Sequence, residues 1–481
     1  MGISSPGVGS GLDVNSIVSK LVALEKKPIT LLQTKGSGLQ TKLSAYAQIK
    51  SALATLEDAG TALTESATWK GRTFNSNNAT ITGSATSTAL ASSFSVQVTD
   101  LAQVQSIKSS QFTSGVALGS AGTLAIQVGA WTGSGVGTTF TAGSGSAINV
   151  TVAATDKLSD LATKINSAGA GVTAVVVSNA GKEQLLIRGN ATGDASGFRI
   201  SASDDLGVPV TNGTGVGAFA YAHNGTAFYG STQTQAAQNA SLTIDGIAVT
   251  SATNAVADAV PGVTLNLTAT TTSAAQVTAG VDKDTVKTKI EAFRVAYNSV
   301  RTMLTNFTKY DEATKTGGAL LGDGTAVGLE SMLRNLVGAN GPTASAGAIG
   351  RMSDMGLQMQ RDGTLTTNST KLNVALGDLD TLKTFMTNAG STISPGDGIA
   401  RRIRDFARAA NGVDGDVSGR NTALKNAITR NTKDIATLNT RVTRVETQLY
   451  AQFSRLDANI GTINSLGNFV TQQIAQWNKT G

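Results

Sequence analysis

The sequence lacks cysteine altogether, has one histidine and six prolines in 481 residues, and contains only 5% aromatic residues. Without cysteine, neither a disulfide framework nor a Cys-ligated metal site can form. With His223 as the only imidazole, an arrangement for general acid-base or nucleophilic catalysis has little to work with. We therefore expect stability to come from packing and assembly. We predict no enzyme activity, no catalytic residue, no metal site and no cofactor.

A secretory signal and a long apolar run are also missing. Residues 1–12 have neither the basic start nor the apolar stretch of about 7 to 15 residues that a cleavable signal needs. No window approaches the roughly 18 consecutive apolar residues of a membrane-spanning helix. We expect no membrane insertion, and we expect the chain to be cytosolic or to be exported by a route that does not use a signal peptide.

The net charge of +6 is concentrated near the C-terminus. Residues 401–455 contain eleven Lys or Arg and five Asp or Glu. A nucleic-acid surface would combine such charge with aromatic or base-reading side chains, and this segment offers only Phe406, Tyr450 and Phe453. We interpret the charge as the solvated face of a long helix and expect no nucleic-acid partner.

Two short patterns resemble binding motifs but fail in detail. Asp414-Gly-Asp416 resembles the opening of a calcium loop, but no Glu completes it at the required distance. The segment from Gly133 to Gly137 has the glycine density of a dinucleotide fingerprint without its spacing or acidic partner. We interpret both as turns.

Two helices are predicted in the N-terminal segment. The first extends from Val14 to Lys27, with Asp13 as its N-cap and Pro28 as its limit, inside an otherwise flexible segment of residues 1–38. The second begins near Leu39 and is amphipathic. Its apolar face consists of Leu39, Leu43, Tyr46, Ile49, Leu53, Leu56 and Leu63.

The middle of the chain is dominated by Thr, Ser, Gly, Ala and Val, in alternating runs that predict strands, such as Phe94–Val98. Residues 148–201 predict a compact β-α-β-β unit, and residues 211–240 a long exposed excursion. We expect two β-rich subdomains. The first comprises residues 73–128 and 239–277, and the second, residues 129–238, is inserted into it.

A seven-residue apolar repeat marks the C-terminal segment. One row contains Ile428, Ile435, Val442, Leu449, Leu456 and Ile463, and the companion row contains Leu424, Leu438, Val445 and Leu466. Gln452 and Asn459 interrupt the companion row. The repeat indicates a coiled coil that needs a helical partner, and the N-terminal helix is the only comparable one in the sequence.

These elements predict an α+β multidomain fold. The N- and C-terminal segments, residues 39–72 and 278–481, would form a helical leg with a coiled coil. The two β-rich subdomains would form a head inserted into that leg.

The N-terminus resembles a known family. The run Gly9-Ser-Gly-Leu-Asp-Val-Asn-Ser-Ile-Val18 is similar to the start of flagellar filament cap proteins, the FliD or hook-associated protein 2 family. The family motif is carried by Gly11, Leu12, Asp13, Val14, Ile17 and Val18. Thr155–Asn166 resembles the hook IN motif of flagellins and cap proteins. Gly318–Asp323, Ser353–Leu357 and Asp362–Leu365 resemble the family's C-terminal region.

This resemblance implies a structural protein of the bacterial flagellum. Its function would be a homo-oligomeric cap at the distal end of the filament, where exported flagellin subunits fold and insert. The implied partners are further copies of the chain, flagellin, hook-filament junction proteins and an export chaperone. The implied location is secreted and extracellular, at the flagellum tip, after export through the flagellar type III apparatus.

Two other functions stay open at this point. A flagellin-like filament subunit would share the plan of leg and head, although flagellins begin and end with different helical motifs. A surface adhesin would bind host glycans through the β head, and Trp131, Tyr221 and Tyr229 are the aromatic residues that such a site would use.

Overall fold

The computed structural model describes residues 13–342, 349–389 and 397–478. Its helices are α1 (Val14–Thr64), α2 (Ser66–Lys70), α3 (Leu158–Ala168), α4 (Lys283–Thr308), α5 (Gly324–Gly338), α6 (Ser369–Ala375), α7 (Leu379–Thr387), α8 (Ile399–Asn411) and α9 (Asp416–Trp477).

The strands are β1 (Arg72–Ser76), β2 (Ile81–Ala85), β3 (Ser92–Asp100), β4 (Ser106–Lys108), β5 (Phe112–Thr113), β6 (Gly122–Thr132), β7 (Thr139–Ala142), β8 (Ile148–Val152), β9 (Val172–Asn179), β10 (Lys182–Gly189), β11 (Gly197–Asp204), β12 (Pro209–Val210), β13 (Tyr221–His223), β14 (Phe228–Gly230), β15 (Thr232–Gln235), β16 (Ala240–Ile244), β17 (Ile247–Ser251), β18 (Ala255–Val260), β19 (Val263–Leu267), β20 (Ala275–Val281), β21 (Tyr310–Asp311), β22 (Thr316–Gly317), β23 (Leu357–Met359) and β24 (Leu365–Thr367).

The chain forms two compact units. The helical unit combines the chain up to Trp69 with the chain from Lys283 onward, and the β unit is Lys70–Asp282. In the helical unit, apolar faces of α1, α4, α5, α7, α8 and the start of α9 enclose one core, with Tyr46, Phe293 and Tyr297 fully buried. The fold is therefore α+β, as the sequence predicts.

The helix predicted to end at Pro28 continues through it, so this prediction is wrong. α1 runs without interruption from Val14 to Thr64, with Pro28 on its exposed side. A proline inside a helix costs about 3 kcal/mol. The burial of Val22 and Ile29 on either side of it, each stabilising by roughly 1.5 to 3 kcal/mol, offsets that cost.

The β unit contains two cores. The first lies between the sheet with strand order β1-β20-β3-β16-β17 and the sheet β18-β19-β2, and it includes Phe94, Val96 and Val277. The second lies among the sheet β15-β4-β10-β5 with β9, the sheet β14-β13-β11-β6-β7 with β8 and β12, and helix α3. Leu161, Leu185 and Phe198 are fully buried in it.

The predicted subdomain boundary at Gly129 is wrong, because β6 runs through it. Ile107, Leu124 and Ile126, which the sequence assigns to the first subdomain, belong to the second core. The chain crosses between the cores near Gln103 and returns near Gln238, and these two residues exchange both backbone hydrogen bonds, at 2.8 and 3.1 Å.

The predicted excursion at residues 211–240 is also wrong. This segment contains β13, β14, β15 and the start of β16, and residues 216–222 are buried. Its small residues let Val216 and Phe219 enter the second core. The β-α-β-β prediction is confirmed by β8, α3, β9 and β10 in that order.

Candidate functional site

The long helices α1 and α9 lie side by side and run in opposite directions. The side-chain amide of Asn431 donates to the Leu32 carbonyl at 2.9 Å, and Arg441 lies 3.7 Å from Glu25. Where the two helices face each other, the residue number in α1 and the residue number in α9 therefore add up to about 465. This pairing surface, made by α1 and α9, is the candidate site for assembly.

The middle of the predicted seam packs against the first four turns of α1. Val442 is buried, and Ile435, Leu438 and Leu449 are half-buried beside it. Their partners are Val14, Val18, Val22 and Ile29, with Tyr450 and Phe453 adding to the cluster. The segment predicted to be flexible thus supplies the partner of the seam.

The predicted partner face serves another core. Leu39, Leu43, Tyr46, Ile49, Leu53, Leu56 and Leu63 all pack into the helical core with α4, α5, α7 and α8. Of the seam residues only Leu424 joins them there, and Ile428 and Val445 are half-buried. The predicted partner face is largely buried, but it does not pack against the middle of the seam, because α1 continues through Pro28 and its earlier residues take that position.

The end of the seam is exposed. Leu456, Ile463 and Leu466 are 44%, 65% and 63% exposed, and the apolar stripe continues through Phe469, Val470 and Ile474. By the register of the pair, Val14 at the start of α1 faces about residue 451 of α9. No described segment of α1 reaches this part of α9, so it presents an apolar helix face.

The family motif at the N-terminus begins α1. The Asp13 carboxylate accepts a hydrogen bond from the Ser16 backbone N–H at 2.9 Å, which is the N-cap that the sequence predicts. Val14 and Val18 are buried against α9 and Ile17 is half-buried. Gly11 and Leu12 lie outside the described residues.

A buried charge network joins three helices of this unit. Asp323 caps α5 through the N–H groups of Thr325 and Ala326, and its side chain is 1% exposed. The Tyr46 hydroxyl donates to its Oδ1 at 2.6 Å, and Arg420 donates from Nη2 to its Oδ2 at 2.7 Å. Burial acts to raise the pKa of Asp323, but these hydrogen bonds outweigh it and hold the pKa below its usual value.

Burial raises the pKa of the Tyr46 phenol above its usual value, and the hydrogen bond to Asp323 raises it further. Local sequence patterns do not indicate this network, because Asp323 and Arg420 are 97 residues apart.

A second buried polar contact lies inside the helix pair itself. Asn431 is 5% exposed, and its Oδ1 has no hydrogen-bond partner in the described part of the chain. Gly36 lies opposite, where a Cβ would come within 2.8 Å of the Asn431 Nδ2. A polar side chain at such a position disfavours other registers, since shifting the helices would leave it without its partner.

The aromatic residues considered for glycan binding do not all meet. Trp131 and Tyr221 contact each other edge to face at 5.6 Å and line a cleft of about 390 Å³ with Phe228. Burial raises the pKa of Tyr221 to about 12. Tyr229 is half-buried and does not line this cleft. His223 accepts a hydrogen bond from the Gly225 backbone N–H.

The described ranges offer neither a metal-binding cluster nor a membrane-spanning helix. They contain no cluster of three or more His, Asp or Glu side chains that could hold a metal ion. No helix within them is long and apolar enough to span a membrane.

Comparison with known proteins identifies the family. The family model of the flagellar hook-associated protein 2 N-terminus matches residues 10–105, and that of its C-terminus matches residues 237–465. Flagellar hook-associated protein 2 of Escherichia coli K12 is 28% identical over 488 residues, which cover 98% of each chain. The chain belongs to the flagellar hook-associated protein 2 family.

Other members of the hook-associated protein 2 family are equally similar. The A-type protein of Pseudomonas aeruginosa is 29% identical over 486 residues, covering 98% of this chain and 96% of that one. The crystal structure of the D1-D2-D3 domains of the flagellar cap protein FliD from Escherichia coli superposes with a TM-score of 0.58 at 26% identity. It covers 79% of this chain and 99% of that chain, and it confirms the mixed helical and β fold.

The inserted β core carries a further match. The model of the flagellin hook IN motif matches residues 134–188, which include α3, β9 and most of β10. The resemblance of Thr155–Asn166 to this motif is therefore confirmed.

Proposed function

We propose that this chain is the structural cap at the distal end of a bacterial flagellar filament, where it promotes the folding and insertion of exported flagellin subunits. The observation that carries the proposal is similarity along 98% of the chain to proteins named flagellar hook-associated protein 2. The likeness to the FliD D1-D2-D3 structure supports it. The role is non-enzymatic, needs no cofactor, and involves neither nucleic acid nor membrane insertion.

The partners follow from this role. They are further copies of the chain, flagellin, the hook-filament junction proteins and an export chaperone, and the working location is extracellular, at the flagellum tip. The helical unit would be the leg, and the two β cores the head. The exposed apolar stripe from Leu456 to Ile474 would be covered on assembly, because removing such side chains from water stabilises an interface.

Neither alternative function is supported to the same degree. The match to the flagellin hook IN motif is confined to residues 134–188, whereas both end segments match hook-associated protein 2. For an adhesin, Trp131 and Tyr221 share a cleft but Tyr229 does not line it.

Labelling the protein on intact cells tests the proposal. Gold-conjugated antibody against the β unit should decorate filament ends, with one cluster for each filament, in electron micrographs. Label spread along the filament would indicate a filament subunit instead, and label on the cell body alone would indicate an adhesin.

A further inference from the structure

The strand β9 forms one border of the inserted β core. Among the described strands it pairs only with β10, through a hairpin whose turn is Ala180-Gly181. Both turn residues have positive φ, 50° and 75°, as a two-residue type I′ turn requires. Asn179 and Lys182 therefore form the first hydrogen-bonded pair of the ladder.

The alternation of the ladder fixes which backbone groups face outward. In an antiparallel pair every second residue directs its N–H and C=O groups to the partner strand. Residues 173, 175, 177 and 179 direct theirs to β10, so residues 172, 174, 176 and 178 direct theirs away from the sheet. A free row of this kind is a template for another strand.

One of these outward positions is occupied by a side chain. The Asn166 amide, near the end of α3, donates from Nδ2 to the Ala174 carbonyl at 2.8 Å, and its Oδ1 accepts from the Ala174 N–H at 2.7 Å. It thus makes the pair of hydrogen bonds that the peptide groups of a neighbouring strand would make.

The rest of the edge has few of the usual protections. β9 contains no charged residue and no proline, and Val175 and Val177 are 51% and 49% exposed on its outer face. In the described structure the outward backbone groups of Val176 and Ser178 have no hydrogen-bond partner. Charged residues, proline or a covering element normally prevent strands from pairing along such an edge.

We propose that Asn166 guards the edge of β9 against pairing with β9 of a second copy of this chain. Two copies of β9 offer each other the same outward groups and exposed valines, so an antiparallel pair could form around Ala174. Asn166 occupies the central position of that pairing site and leaves Val172, Val176 and Ser178 open on either side of it. The need for a guard rests on the proposed function, because a cap of several copies would bring these edges to high local concentration.

Substitution of Asn166 tests the proposal by a gain of association. Asn166→Ala in the full chain frees both groups of Ala174, and species larger than the wild-type oligomer should form at a roughly tenfold lower concentration in sedimentation velocity. Ser167→Ala, on the neighbouring exposed residue of α3, should leave the distribution unchanged.

A second substitution shows whether the edge is the route. Val176→Pro removes an outward N–H that would pair with Val172 of the second copy, and it blocks strand pairing without removing a hydrogen bond to β10. Added to Asn166→Ala, it should restore the wild-type distribution. Association that persists in the double variant, or a single variant that sediments like wild type, would overturn the proposal. If Asn166→Ala does not fold, Asn166→Ser decides by the same comparison, because its shorter, uncharged side chain cannot make both hydrogen bonds to Ala174.

Discussion

At the scale of single residues, Asp323 links an N-cap to an ion pair. The same carboxylate closes the first turn of α5 and accepts hydrogen bonds from Tyr46 and Arg420. Removing one member of a buried pair is costly because it leaves the other charge without its partner. The network therefore holds α1, α5 and α9 at one junction of the helical unit.

Asp323→Asn should destabilise the helical unit by roughly 2 to 3 kcal/mol, because it keeps a capping side chain but loses the negative charge. Asp378→Asn is the matched control, since Asp378 caps α7 and is exposed. Urea unfolding followed by circular dichroism measures both variants. Equal urea midpoints for the two variants would contradict a stabilising role for the negative charge of Asp323.

The pKa of Asp323 predicts how this difference depends on pH. Because the folded-state pKa lies below its usual value of 3.8, the stabilisation is present above that value and is lost as pH falls through the folded pKa. The gap in unfolding free energy between wild type and Asp323→Asn should be constant near neutral pH and close in acid. A gap that persists at the lowest pH at which both proteins fold would mean that the ion pair does not cause it.

Gly36 and Gly38 make a matched pair in α1. Gly38→Ala should stabilise the protein by about 0.5 to 1 kcal/mol, because nothing lies within 4 Å of the new Cβ and alanine favours helix. Gly36→Ala should bring no gain, since its Cβ would displace Asn431 and cost its hydrogen bond to Leu32. Thermal unfolding measures the stability of both variants. Equal gains in stability would mean that Asn431 does not set the register of α1 and α9.

At the scale of elements, the sequence predicts which residues form each apolar helix face better than it predicts which faces pack together. The period of seven in α9 and the helical face of Leu39–Leu63 are both visible, because each is a local pattern. The pairing of these faces is not visible, because local sequence rules end the first helix at Pro28. Burial of α1 side chains against α9 instead carries the helix through the proline. Val14, Val18, Val22 and Ile29 also follow helical spacing, and that was the signal to weigh against the proline.

Two substitutions in α9 separate folding from assembly. Val442→Asp, at a position 4% exposed, should destabilise the pair of α1 and α9 by more than about 2 kcal/mol and reduce helicity. Leu466→Asp, at a position 63% exposed, should leave helicity unchanged and weaken the oligomer. Circular dichroism and light scattering measure the two effects, and equal loss of helicity in both would refute this division of α9.

At the scale of the whole molecule, the insertion of one β core into another is visible in the sequence, but its boundaries are not. Strand signals end at turns, and β6 gives no local sign that its partners are β8 and β11 rather than the strands before it. Only the tertiary pairing shows that the inserted core begins after Gln103 and ends before Gln238.

Excision of the inserted core should therefore succeed only at the structural boundary. Replacing residues 104–237 with a short Gly/Ser linker joins two residues that already pair and leaves the first core complete, so the protein should stay soluble and folded. Replacing residues 129–238 instead cuts β6 and uncovers Leu124 and Ile126, and that variant should aggregate. Soluble yield and cooperative unfolding distinguish the two, and the opposite order would refute the boundary.

The central claim is that this chain caps the filament, and the amount of unpolymerised flagellin outside the cell tests it most directly. A strain that lacks the gene should release monomeric flagellin into the medium and be non-motile, because subunits that leave the filament tip are not inserted. The wild-type gene should restore filaments and motility, and Val442→Asp should not. Normal filaments without released flagellin in the deletion strain would contradict the claim.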